Sequence, residues 1–280
     1  LVHSVDAFPA ICDDLWLRGR IAVNHCLSDI HAMGAAPQSA LAIVTLPRAA
    51  PALHERMLRE LLGGAVAQLR EEDAVLAGGH TGEGSQLQAG FAVTGLLPDP
   101  PPWRLHGAQA GDVLVLTRAL GTGVLFAAAM RGLARADWLD TALDRMAQSN
   151  AGAAAMLATH GTRACTDVSG FGLLGHLPTV VDLSRLAARL EPGAVPLLPG
   201  AADLARQGVR STLWPANHAA LPAALQPPVA ERWPLLADPQ TAGGLLAAVP
   251  ADMAPACIAA LADAGHDAAV IGHVTDDRPP

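Results

Sequence analysis

Three aspartates, Asp6, Asp29 and Asp167, stand where carboxylates could do chemistry. Asp29 falls on a helical stripe with Ala22, Cys26, Ile30 and Met33, at spacings of three and four. That stripe is otherwise small and apolar. A carboxylate buried there is costly unless it is paired, ligates a metal or lies at a pocket edge. Equally, Asp29 could be a partly solvated member of the last helical turn, where its charge opposes the helix dipole. Asp167 ends the strand-like run Ala164-Cys165-Thr166-Asp167, just before the glycines at 170, 172 and 175. Strand ends present ligand groups in open α/β sheets, and an Asx turn capping the next helix is the plainer alternative. Asp6 also reads as a strand end. None of the three has a cationic neighbour in sequence. Their convergence on one cleft would therefore call for a divalent cation, and hard oxygen donors select magnesium, calcium or manganese over zinc. Magnesium on one or two carboxylates completes its shell with water and phosphates, which points to a nucleotide.

Glycine-rich stretches support that direction. They are Gly78-Gly79-His80-Thr81-Gly82-Glu83-Gly84, Gly121-Thr122-Gly123 and Gly243-Gly244, the last preceded by Asp238-Pro239-Gln240-Thr241-Ala242. Backbone N–H groups in such turns can cradle phosphate oxygens, although most glycine pairs are only turns. His80 could bind a phosphate or be structural. All 18 basic residues are arginine and tyrosine is absent, so these residues supply no Walker lysine, Schiff base or tyrosine acid. There is no G-x-S-x-G elbow or H-E-x-x-H helix for serine-hydrolase or zinc-protease chemistry. Cys12, Cys26, Cys165 and Cys257 form no C-x-x-C pair, which excludes zinc ribbons and suggests free thiols in a reducing compartment.

The elements that must position these residues follow from composition and periodicity. The 280 residues are 51% hydrophobic and 16% charged, which excludes a disordered chain. A net charge of −8 argues against a nucleic acid or an anionic membrane as partner. The chain has no secretory-type start and no membrane-length apolar run, so a cytoplasmic location is expected. The patterns predict a strand over 1–8 ending at Asp6, and a helix over 14–33 with Asp13 or Asp14 as N-cap and Gly34 as stop. A strand over 40–46, a helix over 53–69, and strands over 74–77 and 91–97 follow. Pro98-Asp99-Pro100-Pro101-Pro102 reads as a linker. Beyond it come a strand over 113–117, an Ala-rich helix after the 121–123 turn, a helix over 148–159, a strand over 164–166, a turn and helix over 170–186, and an irregular stretch over 192–237. A strand over 245–249, a helix over 253–264 and a strand over 268–274 close the chain. Strands and helices interleave throughout, so two α/β lobes are expected, 1–100 and 108–280.

Two segments carry a family resemblance. Asn24-His25-Cys26-Leu27-Ser28-Asp29-Ile30-His31-Ala32-Met33-Gly34 and Thr166-Asp167-Val168-Ser169-Gly170-Phe171-Gly172-Leu173-Leu174-Gly175-His176-Leu177 resemble signatures of the aminoimidazole-ribonucleotide-synthetase-like ATP-binding superfamily. With Gly78-Gly79-His80-Thr81 and Asp238-Pro239-Gln240-Thr241, they are similar to the selenophosphate synthetase (selenide, water dikinase) branch. The resemblance implies two α/β lobes with the nucleotide site between them, homodimers, and conversion of ATP, selenide and water into selenophosphate, AMP and phosphate. It implies magnesium on the ATP phosphates, held by Asp29 and Asp167, and nucleotide contacts from Asp6, Asp29, Gly79, His80 and Thr81.

Two departures accompany it. The family carries a glycine-rich segment with a Cys or selenocysteine, a lysine and a further metal-binding aspartate. That segment is expected upstream of Leu1, so no catalytic residue is assigned within this chain and the chain alone is expected to be inactive. Ala242 stands where serine is usual. Cys12 and Cys26 read as structural. The alternatives are a sibling activity such as a thiamine-monophosphate kinase, and a non-catalytic nucleotide-binding or dimerisation module.

Overall fold

The computed structural model describes residues 1–9, 11–221 and 233–276. The chain divides into two compact units. The first is Leu1–Pro101 together with Met146–Ala151; the second is Pro102–Arg145 and Gly152–Pro280.

In the first unit, β1 (Val2–Pro9), α1 (Leu15–Ala32), β2 (Ala36–Pro47), α2 (Pro51–Glu71), β3 (Val75–Gly84) and β4 (Gln88–Leu96) follow in order. The sheet order is β1-β4-β2-β3, with β2/β3 parallel and the other pairs antiparallel. Asp14 caps α1 by accepting from the Leu17 amide at 2.8 Å. Strand alternation turns Ala89, Phe91 and Val93 of β4 and Ala40, Ala42 and Val44 of β2 toward α1 and α2, where they form the core with Val23, Leu27, Leu61 and Leu69. The two helices approach at reciprocal glycines. A Cβ on Gly19 would lie 1.9 Å from the Leu61 carbonyl oxygen, and one on Gly64 would lie 1.9 Å from that of Trp16.

Two expectations change here. The first strand continues to Pro9, so Asp6 sits inside β1 and pairs with Phe91. The Gly78–Gly84 segment is the second half of an edge strand, because β2 supplies a parallel partner from Leu41 to Pro47. A Cβ on Gly79 would lie 2.2 Å from the Ala42 carbonyl oxygen, so this glycine is required for the close approach.

The second unit holds β5 (Asp112–Leu116), α3 (Thr122–Ala129), α4 (Ala136–Ala147, whose last two residues belong to the first unit), α5 (Ala151–Thr159), β6 (Ala164–Asp167), α6 (Gly172–Val180) and β7 (Ala187–Leu190). It continues with α7 (Ala201–Arg206), α8 (Trp214–Ala220), α9 (Trp233–Leu236), β8 (Leu245–Pro250), α10 (Ala254–Asp263) and β9 (Ala269–Thr275). The sheet order is β6-β8-β5-β9-β7, antiparallel at every ladder. Leu114, Leu116, Leu246 and Ile271 meet Leu173, Leu174 and Leu177 of α6 in one core; Val124 and Leu125 of α3 meet Leu198, Leu204 and Leu235 in another.

The helix expected to reach Leu186 stops at Val180, and the chain returns as β7 to pair with β9. Gly132, at φ 68, separates α3 from the amphipathic α4, which periodicity alone left unassigned. The stretch read as irregular contains α7, α8 and α9; its residues 222–232 lie outside the described residues.

Candidate functional site

Strand β1 lies against α1 through matched spacings. Two residues along a strand advance about 6.8 Å and four along a helix about 6 Å. Ser4 and Asp6 therefore face Asp29 and His25 in turn. The Ser4 hydroxyl donates to Asp29 Oδ2, and His25 Nε2 lies 2.7 Å from Asp6 Oδ2. The hydrogen bond from His25 is the largest influence on Asp6 and holds its carboxyl below the usual carboxylate range. The Asp6 carbonyl accepts from the Cys26 thiol at 3.3 Å, and Phe8 packs edge-on against the His25 ring.

Asp29 itself is exposed, while every other residue from Ile21 to Ile30 is buried. The buried-carboxylate argument for it is thus corrected. Within residues 21–30 the helix opens to solvent at this one position, and the Ser4 hydroxyl donates to the carboxylate there. Asp6, which lacked a cation in sequence, has an imidazole in space.

His80, Gly79 and Thr81 occupy β3, the sheet edge opposite β1. Three strand spacings separate them from Asp6, about 14 Å. Gly78 to Thr81 line a cavity of about 350 Å3 with Ala42, Leu62, Leu76 and Ala77. The first unit thus brings Asp6 and Asp29 together and holds Gly79, His80 and Thr81 apart from them.

In the second unit Asp167 is 5% exposed at the end of β6, opposite Leu245 of β8. The segment after it is laced to the 238–244 loop. Val168 N donates to the Gly244 carbonyl at 2.9 Å, and Gln240 N donates to the Ser169 carbonyl at 2.9 Å. Ser169 N donates to His176 Nε2 at 3.1 Å. Buried Arg118 ties the same loop by donating from Nη1 to the Ala242 and Gly243 carbonyls at 2.6 and 3.1 Å, and burial lowers its guanidinium to about 10.

This loop also fills one candidate phosphate cradle. Gln240 Oε1 accepts from Gly121 N, Thr122 N and Thr122 Oγ1 at 2.9, 3.2 and 3.2 Å. Asp238 Oδ2 accepts from Val124 N at 2.8 Å. The turn therefore spends its Gly121 and Thr122 amides, and the helix start its Val124 amide, on the protein's own side chains. Gly243 and Gly244 are close-approach positions against Val168 and Arg118.

Burial pushes the Asp238 carboxyl from 3.8 up to about 7, against the lowering effect of the Val124 amide. The folded chain therefore keeps a proton there after the unfolded chain has lost it. The stability tied to that proton is complete below about pH 4 and is lost as pH rises through about 7. Asp238→Asn, which keeps an acceptor for Val124 N, should gain stability relative to the unsubstituted protein across that window. Thermal melts of both proteins at pH 4.5 and 7.5 check this; a constant difference in melting temperature would refute it.

None of the four cysteines is a poised nucleophile. Burial raises Cys12, Cys165 and Cys257, and pushes Cys26 up to about 12.

Sequence reasoning missed Ser4, His25, His176 and the capping role of Gln240. Ser4 and Asp6 share one face of β1, and His25 lies four residues before Asp29. Those spacings carry the signal once β1 is placed on α1.

The family model for the N-terminal domain of AIR synthase related proteins matches residues 1–97, and that for the C-terminal domain matches 109–279. The selenide, water dikinase of Pelobacter propionicus is 37% identical over 281 residues, covering 99% of this chain and 80% of the relative. The chain belongs to the selenide, water dikinase family. A second member of that family, from Myxococcus xanthus, is 37% identical over 287 residues, covering 100% of this chain and 80% of the relative. Among solved structures, thiamine-monophosphate kinase from Stenotrophomonas maltophilia superposes with a TM-score of 0.75 at 20% identity, covering 99% of this chain and 83% of that one. The hydrogenase maturation protein HypE of E. coli gives 0.72 at 17% identity, covering 99% and 81%. At those identities the likeness shows the fold alone.

Proposed function

We propose that this protein makes selenophosphate from ATP, selenide and water, releasing AMP and phosphate. The observation that carries the reading is the 37% identity to a selenide, water dikinase over 99% of the chain, spanning both lobes. The 1–100 lobe contributes Asp6, Asp29, Gly79, His80 and Thr81 to the nucleotide, and the 108–280 lobe contributes Asp167. The four free cysteines suit a reducing cytoplasm, and no described helix is long and apolar enough to cross a membrane.

Asp29 and Asp167 are the proposed magnesium ligands. Both are hard oxygen donors. Among the described residues no group of three His, Cys, Asp or Glu side chains forms a ready-made metal cage. A cation on these carboxylates must complete its shell from phosphate oxygens and water, which suits magnesium. When bound, it neutralises phosphate charge. Asp29 stays accessible and oriented by Ser4, while Asp6 is kept ionised by His25.

The active form is proposed to be a homodimer. The sheet face turned away from α1 and α2 carries the row Val5–Ala92–Leu41–Gly78 and, beside it, Ala7–Gly90–Ile43–His80. Val5, Leu41 and Ile43 are 63%, 49% and 41% exposed, an apolar surface that a second copy would cover. A second copy could also bring its own β3 to the Asp6 and Asp29 edge.

The test is product analysis with the full-length natural chain, ATP and selenide. AMP with selenophosphate is expected. ADP as the final nucleotide would instead favour a kinase like thiamine-monophosphate kinase, and no selenide-dependent turnover would overturn the reading. Light scattering should give a dimer at micromolar concentration; a monomer would remove the assembly from the proposal.

A further inference from the structure

We propose that His176 is a positioning residue that fixes Asp167 for its cation. This rests on the reading of Asp167 as a metal ligand.

Asp167 is the last residue of β6, so its backbone direction depends on the two residues that follow. Val168 is held by the Gly244 carbonyl and Ser169 by the Gln240 amide, both at 2.9 Å. These are backbone contacts that any side chain would leave in place. A further restraint is different in kind. Ser169 N donates to the imidazole Nε2 of His176 at 3.1 Å, and Ser169 Oγ lies 3.3 Å from the same nitrogen. A side chain one turn into α6 thus reaches back and accepts the amide two residues beyond Asp167. An acceptor role at Nε2 assigns the ring proton to Nδ1.

The ring is itself held. Phe171 packs on it with ring centroids 5.6 Å apart. A Cβ at Gly175 would lie 2.5 Å from the Phe171 Cβ, so glycine there leaves room for that packing. Gly172 turns the chain at φ 70, in a place where a Cβ would lie 2.8 Å from the Asp238 carbonyl oxygen. The strand end, the turn and the helix start are therefore braced together, with the His176 side chain accepting from the Ser169 amide. Residues that orient metal ligands through such contacts typically change metal affinity by about 10–100-fold when lost.

The experiment is calorimetric binding of a non-hydrolysable ATP analogue to the full-length chain across a magnesium series, with thermal melts alongside. His176→Leu removes the acceptor. It should raise the magnesium needed for half-maximal binding by about 10–100-fold, with magnesium-free nucleotide affinity and melting temperature close to those of the unsubstituted protein. His176→Gln places an amide oxygen near the Nε2 position and should return the magnesium requirement toward normal. Asp167→Asn is the control for the underlying reading. If it leaves magnesium dependence intact, Asp167 is not a ligand and both readings fall. If Asp167→Asn abolishes the dependence while His176→Leu does not shift it, only the role of His176 is overturned. That role is overturned equally if the glutamine variant is no better than leucine, or if the shift merely tracks a lowered melting temperature.

Discussion

Gln240→Leu is expected to destabilise the second unit by at least about 3 kcal/mol, because three buried donors then lose their one acceptor and each unmade bond costs about 1–3 kcal/mol. The donors are Gly121 N, Thr122 N and Thr122 Oγ1, all on Gln240 Oε1. For a protein of this size the loss corresponds to about 6–12 °C in melting temperature. Gln240→Glu keeps the acceptor but gives up the Nε2 bond to the Asp238 carbonyl at 2.9 Å, so its cost should fall between those of the parent and the leucine variant. Urea denaturation of the three proteins measures the difference. A leucine variant within about 1 kcal/mol of the parent would mean that water fills the place of the amide oxygen, and the capping account would fail.

That prediction also marks a boundary of what the sequence reveals. Local periodicity places α1, α2 and most strands, because an apolar stripe or alternation is a property of neighbouring residues. Asp14 as N-cap and Gly34 as a stop belong to the same local grammar. What local pattern leaves open depends on partners distant in sequence. Gly78–Gly84 looks like a turn until β2 offers its edge. The Gly121 turn looks like a phosphate cradle until a glutamine from 119 residues away fills it. Asp29 looks buried by its stripe, yet it faces Ser4 and solvent. The proposed site residues rest mainly on the family resemblance; the side chains packed around them were not legible from local pattern.

Asp29→Asn and Asp167→Asn should each weaken magnesium-dependent binding of an ATP analogue by more than about a hundredfold, since removing a ligand should exceed the effect of disturbing its support. Asn keeps the size and an oxygen but removes the charge that a hard cation requires. The stability effects should differ between the two. Asp29 is exposed, so its substitution should change stability by less than about 0.5 kcal/mol. Asp167 is buried, and its substitution is the one to check by melting before binding is interpreted. Calorimetry at fixed analogue and varied magnesium decides the matter. Unchanged magnesium dependence in both proteins would end the metal assignment.

The short segment Met146–Ala151, which belongs to the first unit, has a consequence for biosynthesis. Buried Asn24 donates to the carbonyls of Ala147 at 2.7 Å and Met146 at 3.4 Å. Burial alone would raise the Glu72 carboxyl, yet the His31 imidazole, its Nε2 3.3 Å away, and Ser149 hold it below the usual range, and Ser149 comes from the same segment. A ribosome finishes residue 101 with all four strands of the first sheet already made. It must then add the 44 residues of Pro102–Arg145 before these acceptors and donors exist. At about 5–20 residues per second, that is a wait of about 2–9 s. Throughout it the nascent lobe carries polar groups destined for burial with their partners still untranslated. The first unit therefore closes late, after part of the second has been made, and the order of synthesis links the maturation of the two lobes.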